Sequence, residues 1–167
     1  MVMKQLKKNS LKSGRYRLIQ TRFILIDSEI LKKYENNDHF FFHKEIDLAK
    51  VCNAPKKGSG VYVVYELKDG RISLVYIGAC GKMKSDGNIN YLEGNMYHDL
   101  VNGRQFGGKR KESWKKKVSD ENIDAFDIYW FETFNDQHKD IPSAVVALVL
   151  QLHYDVYGEL PRWNEEF

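Results

Sequence analysis

Two tyrosines beside glycine-containing triplets are the side chains of this sequence whose types and spacing best suit chemistry. Tyr62 ends the triplet GVY at Gly60–Tyr62, and Tyr76 begins the triplet YIG at Tyr76–Gly78. A phenol hydroxyl both donates and accepts hydrogen bonds. Its ordinary pKa of about 10 leaves it protonated at neutral pH, so it can act as a base only with help from its surroundings.

The residues between these tyrosines predict a β-hairpin. Segments 60–67 and 71–77 are rich in β-branched and aromatic residues, which favour strands. The Asp-Gly pair at Asp69 and Gly70 separates them and is typical of a tight hairpin turn. A hairpin of this length places Tyr62 and Tyr76 side by side on neighbouring strands.

The rest of the core predicts an α+β domain with a three-stranded antiparallel sheet flanked by helices. The further elements expected are helices at 91–102 and 109–118, a third strand with one buried face at 122–134, and a last helix at 142–157. Pro142 and Gly158 are the expected boundary residues of that last helix. Its predicted buried stripe consists of Val145, Leu148, Val149, Leu152 and Val156.

Residues 1–57 are predicted to form a basic N-terminal extension before a core domain at 58–167. Three elements are expected in the extension: a short strand at 21–26, a helix that Asp27 or Ser28 caps and that runs to about Tyr34, and a strand or short helix at 39–48. The boundary is placed at 53–60, where Pro55 and several glycines interrupt regular structure.

These features together resemble the GIY-YIG nuclease family. The resemblance rests on the two triplets, the hairpin that joins them, the order of the elements that follow, and the ending Pro161-Arg162-Trp163-Asn164, which is similar to the Pro-x-x-Asn ending of many members. It covers residues 60–164. It implies a nuclease-like fold and a site that hydrolyses phosphodiester bonds.

The resemblance also implies roles for particular residues. The first tyrosine, Tyr62 here, would act as a base or orient the attacking water, and Tyr76 would be its companion. An arginine on the helix after the hairpin would hold the scissile phosphate. A glutamate on the last helix would hold one divalent cation, usually magnesium, which stabilises the charge of the transition state.

Three family positions are substituted in this sequence. Ala79 follows the YIG triplet where many members have lysine or histidine. The expected arginine position falls near Asp99, and the expected glutamate position falls near Val146, which cannot bind a cation. Residues that could take over these roles are Arg104, His98, Asp99 and Glu93. No metal ligands are assigned, and magnesium is the expected cofactor only if the site is active.

Basic residues are concentrated in two segments of a chain whose net charge is only +3. The first segment precedes Asp27 and contains no acid. The second holds six candidates for binding nucleic acid: Arg104, Lys109, Arg110, Lys115, Lys116 and Lys117. Such patches attract a polyanion, and contacts to phosphates position a protein without reading sequence. The competing interpretation is solvated surface charge.

Phe106 and Trp114 lie among the basic residues of the second segment. Aromatic rings stack on nucleic-acid bases, and they also fill protein cores, so both roles stay open. Gly107-Gly108 predicts either a simple turn or a close approach of the backbone to a partner.

Three functional hypotheses follow. The first is a degenerate, catalytically inactive nuclease-like domain that binds nucleic acid, with DNA as the expected partner. The second is an active magnesium-dependent endonuclease with displaced catalytic residues. The third is a protein-interaction module that does not bind nucleic acid. A carboxylate within metal reach of Tyr62 and Tyr76 would favour the second hypothesis over the first.

The composition argues against several other classes. No apolar run is long enough to span a bilayer, so no membrane partner is expected. The N-terminal sequence lacks the apolar stretch of a secretory signal, which predicts a cytoplasmic location. Cys52 and Cys80 are too few for a disulfide framework, and the absence of a CxxC pair argues against a zinc site.

Overall fold

A four-stranded antiparallel sheet forms the centre of the protein. The computed structural model describes residues 28–90 and 95–167. The strand predicted at 21–26, the basic residues before Asp27 and the candidate residue Glu93 lie outside the described residues. The elements in chain order are α1 (Glu29–Lys32), β1 (Asn37–Phe42), α2 (Leu48–Val51), β2 (Ser59–Lys68), β3 (Arg71–Cys80), α3 (Met96–Asn102), β4 (Arg104–Gln105), β5 (Gly108–Lys109), α4 (Arg110–Asp120), β6 (Ala125–Phe134) and α5 (Pro142–Tyr157).

The α+β class is confirmed, but the prediction of three strands is wrong. The strand order is β1-β6-β2-β3, and β1 is the additional strand. It comes from the segment predicted as either strand or short helix, and it pairs with β6 so that Phe40 lies opposite Ile128. An apolar run of this length suits a strand or a buried helix equally. It forms a strand here because the edge of β6 offers unpaired backbone groups with which it forms hydrogen bonds. The sheet therefore crosses the predicted domain boundary.

The predicted hairpin is confirmed as β2 and β3. Asp69 and Gly70 both have positive φ angles, of 50° and 70°, as a type I′ turn requires. Tyr62 pairs with Gly78, and Val64 pairs with Tyr76. Residues directly opposite each other in an antiparallel pair share a face, so both tyrosines project from the same side of the sheet.

Each face of the sheet carries its own hydrophobic cluster. The first cluster includes Tyr62, Phe126, Ile128 and Trp130 from the strands, and α3 and α4 pack against it. The second cluster includes Val61, Val63 and Phe131, and α1 and α5 pack against it. The prediction of one buried face for the third strand is wrong, because β6 is an inner strand whose Asp127 and Thr133 are also buried.

The last helix has the predicted bounds but not the full predicted stripe. It begins at Pro142, and Gly158 ends it with a positive φ of 76°. Val145 and Val149 are buried as predicted, while Leu148 is 56% exposed and Leu150 is buried instead. The stripe is therefore displaced around the helix. Within the described ranges, none of the helices has the length and apolar character that crossing a membrane requires.

Candidate functional site

The two tyrosine rings lie against each other beside a glycine that makes room for them. The ring centroids of Tyr62 and Tyr76 are 6.0 Å apart. A Cβ atom at Gly78 would lie 2.5 Å from Cζ of Tyr62 and 2.8 Å from Cε1 of Tyr76. Any side chain at position 78 would therefore push the rings away. The glycine of the YIG triplet has a steric role here, with no positive φ involved.

The Tyr62 phenol is buried and held by a carboxylate. The residue is 1% exposed, and its hydroxyl donates a hydrogen bond of 3.1 Å to Oδ2 of Asp99 on α3. Burial raises the pKa of Tyr62 well above its ordinary value, although the charge of Arg110 acts in the opposite direction. At neutral pH the phenol is therefore a hydrogen-bond donor, without the anionic form that a base needs.

A buried arginine completes this arrangement. Nη1 of Arg110, the first residue of α4, donates to the backbone oxygen of Asp99 at 2.7 Å and to its Oδ2 at 3.1 Å. Its guanidinium carbon lies 5.2 Å from the Tyr62 ring centroid and 5.8 Å from that of Tyr76. Burial alone lowers the pKa of Arg110, but the oxygens of Tyr62 and Asp99 raise it above its ordinary value, so the group stays charged.

Gln105 extends the hydrogen bonds to the core. Its Oε1 accepts from Nε of Arg110 at 3.3 Å and from Nε1 of Trp114 at 2.9 Å. Trp114 is fully buried, so it packs in the core and its ring is not available to stack on a base. We call Tyr62, Asp99, Gln105, Arg110 and Trp114 the buried polar cluster.

Arg110 is placed differently from its predicted surface position. It was a candidate for contacting nucleic acid, yet only 4% of its surface is exposed. The short β4–β5 hairpin reverses the chain after α3, so that α4 begins beside Asp99 and directs its first side chain inward. The sequence pattern predicts an arginine on α3 and does not single out position 110, because Arg110 stands between two lysines in a basic segment.

The other proposed substitutes are not brought to the tyrosines. His98 is exposed on α3, and its backbone N–H donates at 2.8 Å to Oδ1 of Asn95, the residue that caps the helix. Arg104 is exposed and donates to the backbone oxygen of Gly107 at 3.2 Å. Among the described contacts, neither side chain bonds to Tyr62 or Tyr76.

Position 146 lies away from the candidate site. Val146 is buried in the second cluster, on the opposite face of the sheet from the phenols. Among the described residues, no group of three or more His, Cys, Asp and Glu side chains is placed to hold a metal ion. Asp99 is the carboxylate nearest Tyr62, and it is already paired with Arg110.

The Pro-x-x-Asn tail fastens the chain to the outer hairpin strand. Nδ2 of Asn164 donates to the backbone oxygen of Ile77 at 2.8 Å, and its Oδ1 accepts from the Ile77 N–H at 2.9 Å. The N–H of Trp163 also donates to the backbone oxygen of Val75 at 3.0 Å. These bonds fix the tail next to Tyr76. The role of Asn164 is therefore structural, because its side chain bonds to the backbone of β3.

The remaining basic candidates divide into paired and unpaired residues. Lys116 bonds to Asp120, and Lys117 bonds to Glu121, each one helical turn later in the chain. Arg104, Lys109 and Lys115 form no ion pair within the part of the chain that the structure describes, and neither does Lys111, which was not one of the six candidates. We call these four residues the basic strip.

Comparisons with protein-family models, curated proteins and solved structures found no match to this chain.

Proposed function

We propose that this protein binds nucleic acid, with DNA as the expected partner, through a GIY-YIG-like domain whose tyrosine site does not cleave. The observation that carries the proposal is the burial of Tyr62 against Asp99 and Arg110. Attack of water on a phosphate needs an accessible base and a cation that is free to bind the phosphate. In this structure the phenol is enclosed, and the guanidinium is neutralised by the neighbouring carboxylate.

The basic strip supplies the binding surface. Arg104 and Lys109 lie opposite each other across the β4–β5 hairpin. Lys111 and Lys115 are one turn apart on α4, so they share a face of that helix. Four cations without acidic partners on adjoining elements suit the backbone of a nucleic acid, which they would hold without reading its sequence.

A binding measurement with matched variants tests this surface. Fluorescence anisotropy of a labelled DNA strand gives the affinity over a series of salt concentrations. One variant carries Lys109→Gln, Lys111→Gln and Lys115→Gln, and the control carries Lys32→Gln, Lys44→Gln and Lys50→Gln, which removes the same charge elsewhere. Loss of three phosphate contacts should reduce the slope of log affinity against log salt by about 2 to 3 in the first variant only.

Two results would contradict the binding proposal. Equal slopes for both triple variants would place the contact elsewhere on the protein. No binding by the unmodified protein at low salt would remove nucleic acid as the partner, and the protein-interaction hypothesis would replace it.

One observation favours the active endonuclease as a second candidate. A carboxylate, that of Asp99, does lie 3.1 Å from the Tyr62 hydroxyl, as that hypothesis requires. Oδ2 of this carboxylate is shared between Tyr62 and Arg110, so a cation bound there would lie next to the guanidinium charge. Supercoiled plasmid incubated with magnesium, with manganese and with a chelator tests this. Nicking that the chelator abolishes and that Tyr62→Phe reduces would establish the enzyme and overturn the proposal of an inactive site.

A further inference from the structure

We infer that the groove beside Tyr76 accommodates an unpaired nucleobase, so that the preferred partner is a single strand. This inference rests on the proposed function and specifies the form of nucleic acid that is bound. The groove has a volume of about 420 Å³ and lies between the β4–β5 turn and the C-terminal tail. The residues of its wall that matter here are Tyr76, Gln105, Phe106, Trp163, Glu165 and Glu166.

Phe106 holds its ring at this groove in an unfavourable backbone conformation. It has a φ of 53° and is 39% exposed at the tip of the β4–β5 hairpin. Asparagine or glycine adopts this left-handed conformation more readily, and a large exposed aromatic residue is unusual in it. Backbone strain of this kind is concentrated at functional positions, and here it presents an aromatic surface to the groove.

The aromatic wall is supported from behind. The Phe106 ring centroid lies 5.1 Å from that of Trp163 in an edge-to-face arrangement, and Trp163 packs in the same way on Phe126 in the core. The backbone bond from Trp163 to Val75 fixes the tail. A base entering the groove would therefore meet a preorganised surface.

The polar groups of the groove suit the edge of a base better than a phosphate. Gln105 uses its Oε1 inside the buried polar cluster, and its Nε2 has no hydrogen-bond partner among the described residues. The Tyr76 hydroxyl also has none there. Glu165 and Glu166 are exposed at the groove, where they would repel a phosphate but could accept hydrogen bonds from ring and amino N–H groups.

The basic strip begins on the same hairpin as Phe106. Arg104 and Lys109 flank the turn that carries the ring, so a strand whose phosphates lie on the strip could direct one base into the groove. Bases of a duplex are stacked and paired, and they are not available to such a groove. Because only a single strand has an accessible base, the inference predicts tighter binding of a single strand than of a duplex.

The test uses a labelled single strand, the same strand with tetrahydrofuran abasic sites, and the corresponding duplex. The unmodified protein should bind the base-containing strand about 5-fold or more tightly than the abasic strand, because one stacked base contributes on that scale. Phe106→Asn removes the ring while tolerating the positive φ, and it should abolish that difference. Phe106→Tyr keeps a stacking ring and should preserve the difference.

The outcomes separate this inference from the proposed function. Equal binding of the base-containing and abasic strands, or tighter binding of the duplex, would overturn the inference while leaving nucleic-acid binding in place. A loss of affinity for the abasic strand in Phe106→Asn would also contradict it, because that strand offers no base. Failure of every probe to bind at low salt would overturn both. Unchanged thermal midpoints show that the Phe106 variants remain folded.

Discussion

The two faces of the sheet differ in the side chains that pack on them. The face covered by α3 and α4 contains the buried polar cluster, with a charged pair and a phenol next to the hydrophobic residues. The face covered by α5 is mainly aliphatic, with Val61, Val63, Val145 and Val149 at its centre. It also holds a buried carboxylate, Asp127, whose Oδ1 lies 2.8 Å from Nδ1 of His39. Buried aliphatic side chains stabilise a fold directly, whereas a buried ion pair recovers little more than its desolvation cost.

This difference is one reason why we place the proposed function on the face covered by α3 and α4. Arg110 is buried, whereas the Asp99 side chain is 30% exposed, so the pair is only partly desolvated and its net contribution to stability is small. Arg110 also bonds to Gln105, which lines the groove, and it begins the helix that carries Lys111 and Lys115. On the opposite face, α5 packs against β2 and β3 and stabilises the hairpin.

The largest effect is expected for Val146→Glu on the aliphatic face. The described members of the second cluster include no cationic side chain. We therefore expect a buried carboxylate there to cost about 4 kcal/mol of unfolding free energy at neutral pH, measured by urea denaturation. Val146→Ala is the control for lost packing, and it should cost about 2 kcal/mol. If Val146→Glu instead produced metal-dependent nicking of plasmid, the two faces would share a site and the comparison would be wrong.

Gly78→Ala should have the next largest effect, because it acts on the packing of the two phenols. The added methyl would overlap the rings of Tyr62 and Tyr76, and we expect destabilisation by about 3 kcal/mol in thermal or urea unfolding. Gly108→Ala is the matched control, since its Cβ would meet only Cβ of Ser113 at 3.5 Å. Equal stability of the two variants would show that the rings are not packed as described.

Tyr62→Phe tests the polar face through pH. Loss of the hydrogen bond to Asp99 should cost about 1 kcal/mol at neutral pH. The pKa of Tyr62 is raised in the folded state, so above pH 10 the unfolded chain loses this proton first and stability falls as pH rises, by at most about 1.4 kcal/mol per pH unit. Tyr62→Phe should lack this alkaline decrease in stability. The difference in unfolding free energy between the variant and the unmodified protein should therefore become smaller above pH 10.

The matched control for this experiment is Tyr154→Phe, at a tyrosine that is 52% exposed. It should leave the unfolding free energy at neutral pH unchanged, because the hydroxyl that it removes belongs to an exposed side chain. A deficit of Tyr62→Phe that stays constant from neutral to alkaline pH would show that the phenol is not enclosed.

Replacing His153 on α5 should have the smallest effect on unfolding free energy, and this effect is expected at acidic pH. Burial lowers the pKa of His153, and the backbone oxygen of Glu159, which accepts from Nδ1 at 2.8 Å, offsets part of that shift. The unfolded chain therefore binds a proton first as pH falls below about 6.5, and stability decreases with acidity. His153→Gln should reduce this acid-dependent loss of stability. An acid response of His153→Gln equal to that of the unmodified protein would contradict the burial of His153.

Local sequence determined the hairpin and the last helix. The Asp-Gly turn and the β-branched runs around it specify two antiparallel strands whatever follows, and this pairing alone puts Tyr62 and Tyr76 on one side of the sheet. Pro142 and Gly158 act in the same local way on α5. These predictions hold because turn and cap chemistry depends on residues that are neighbours in the chain.

Tertiary structure alone decided the surroundings of the two phenols. Arg110 belongs by sequence to a run of basic residues, and only the direction in which α4 leaves the β4–β5 hairpin turns it inward to Asp99. The strand β1 similarly depends on the free edge of β6. Burial and pairing arise from contacts between residues far apart in the chain, and a pattern of neighbouring residues does not encode which distant partner each one meets.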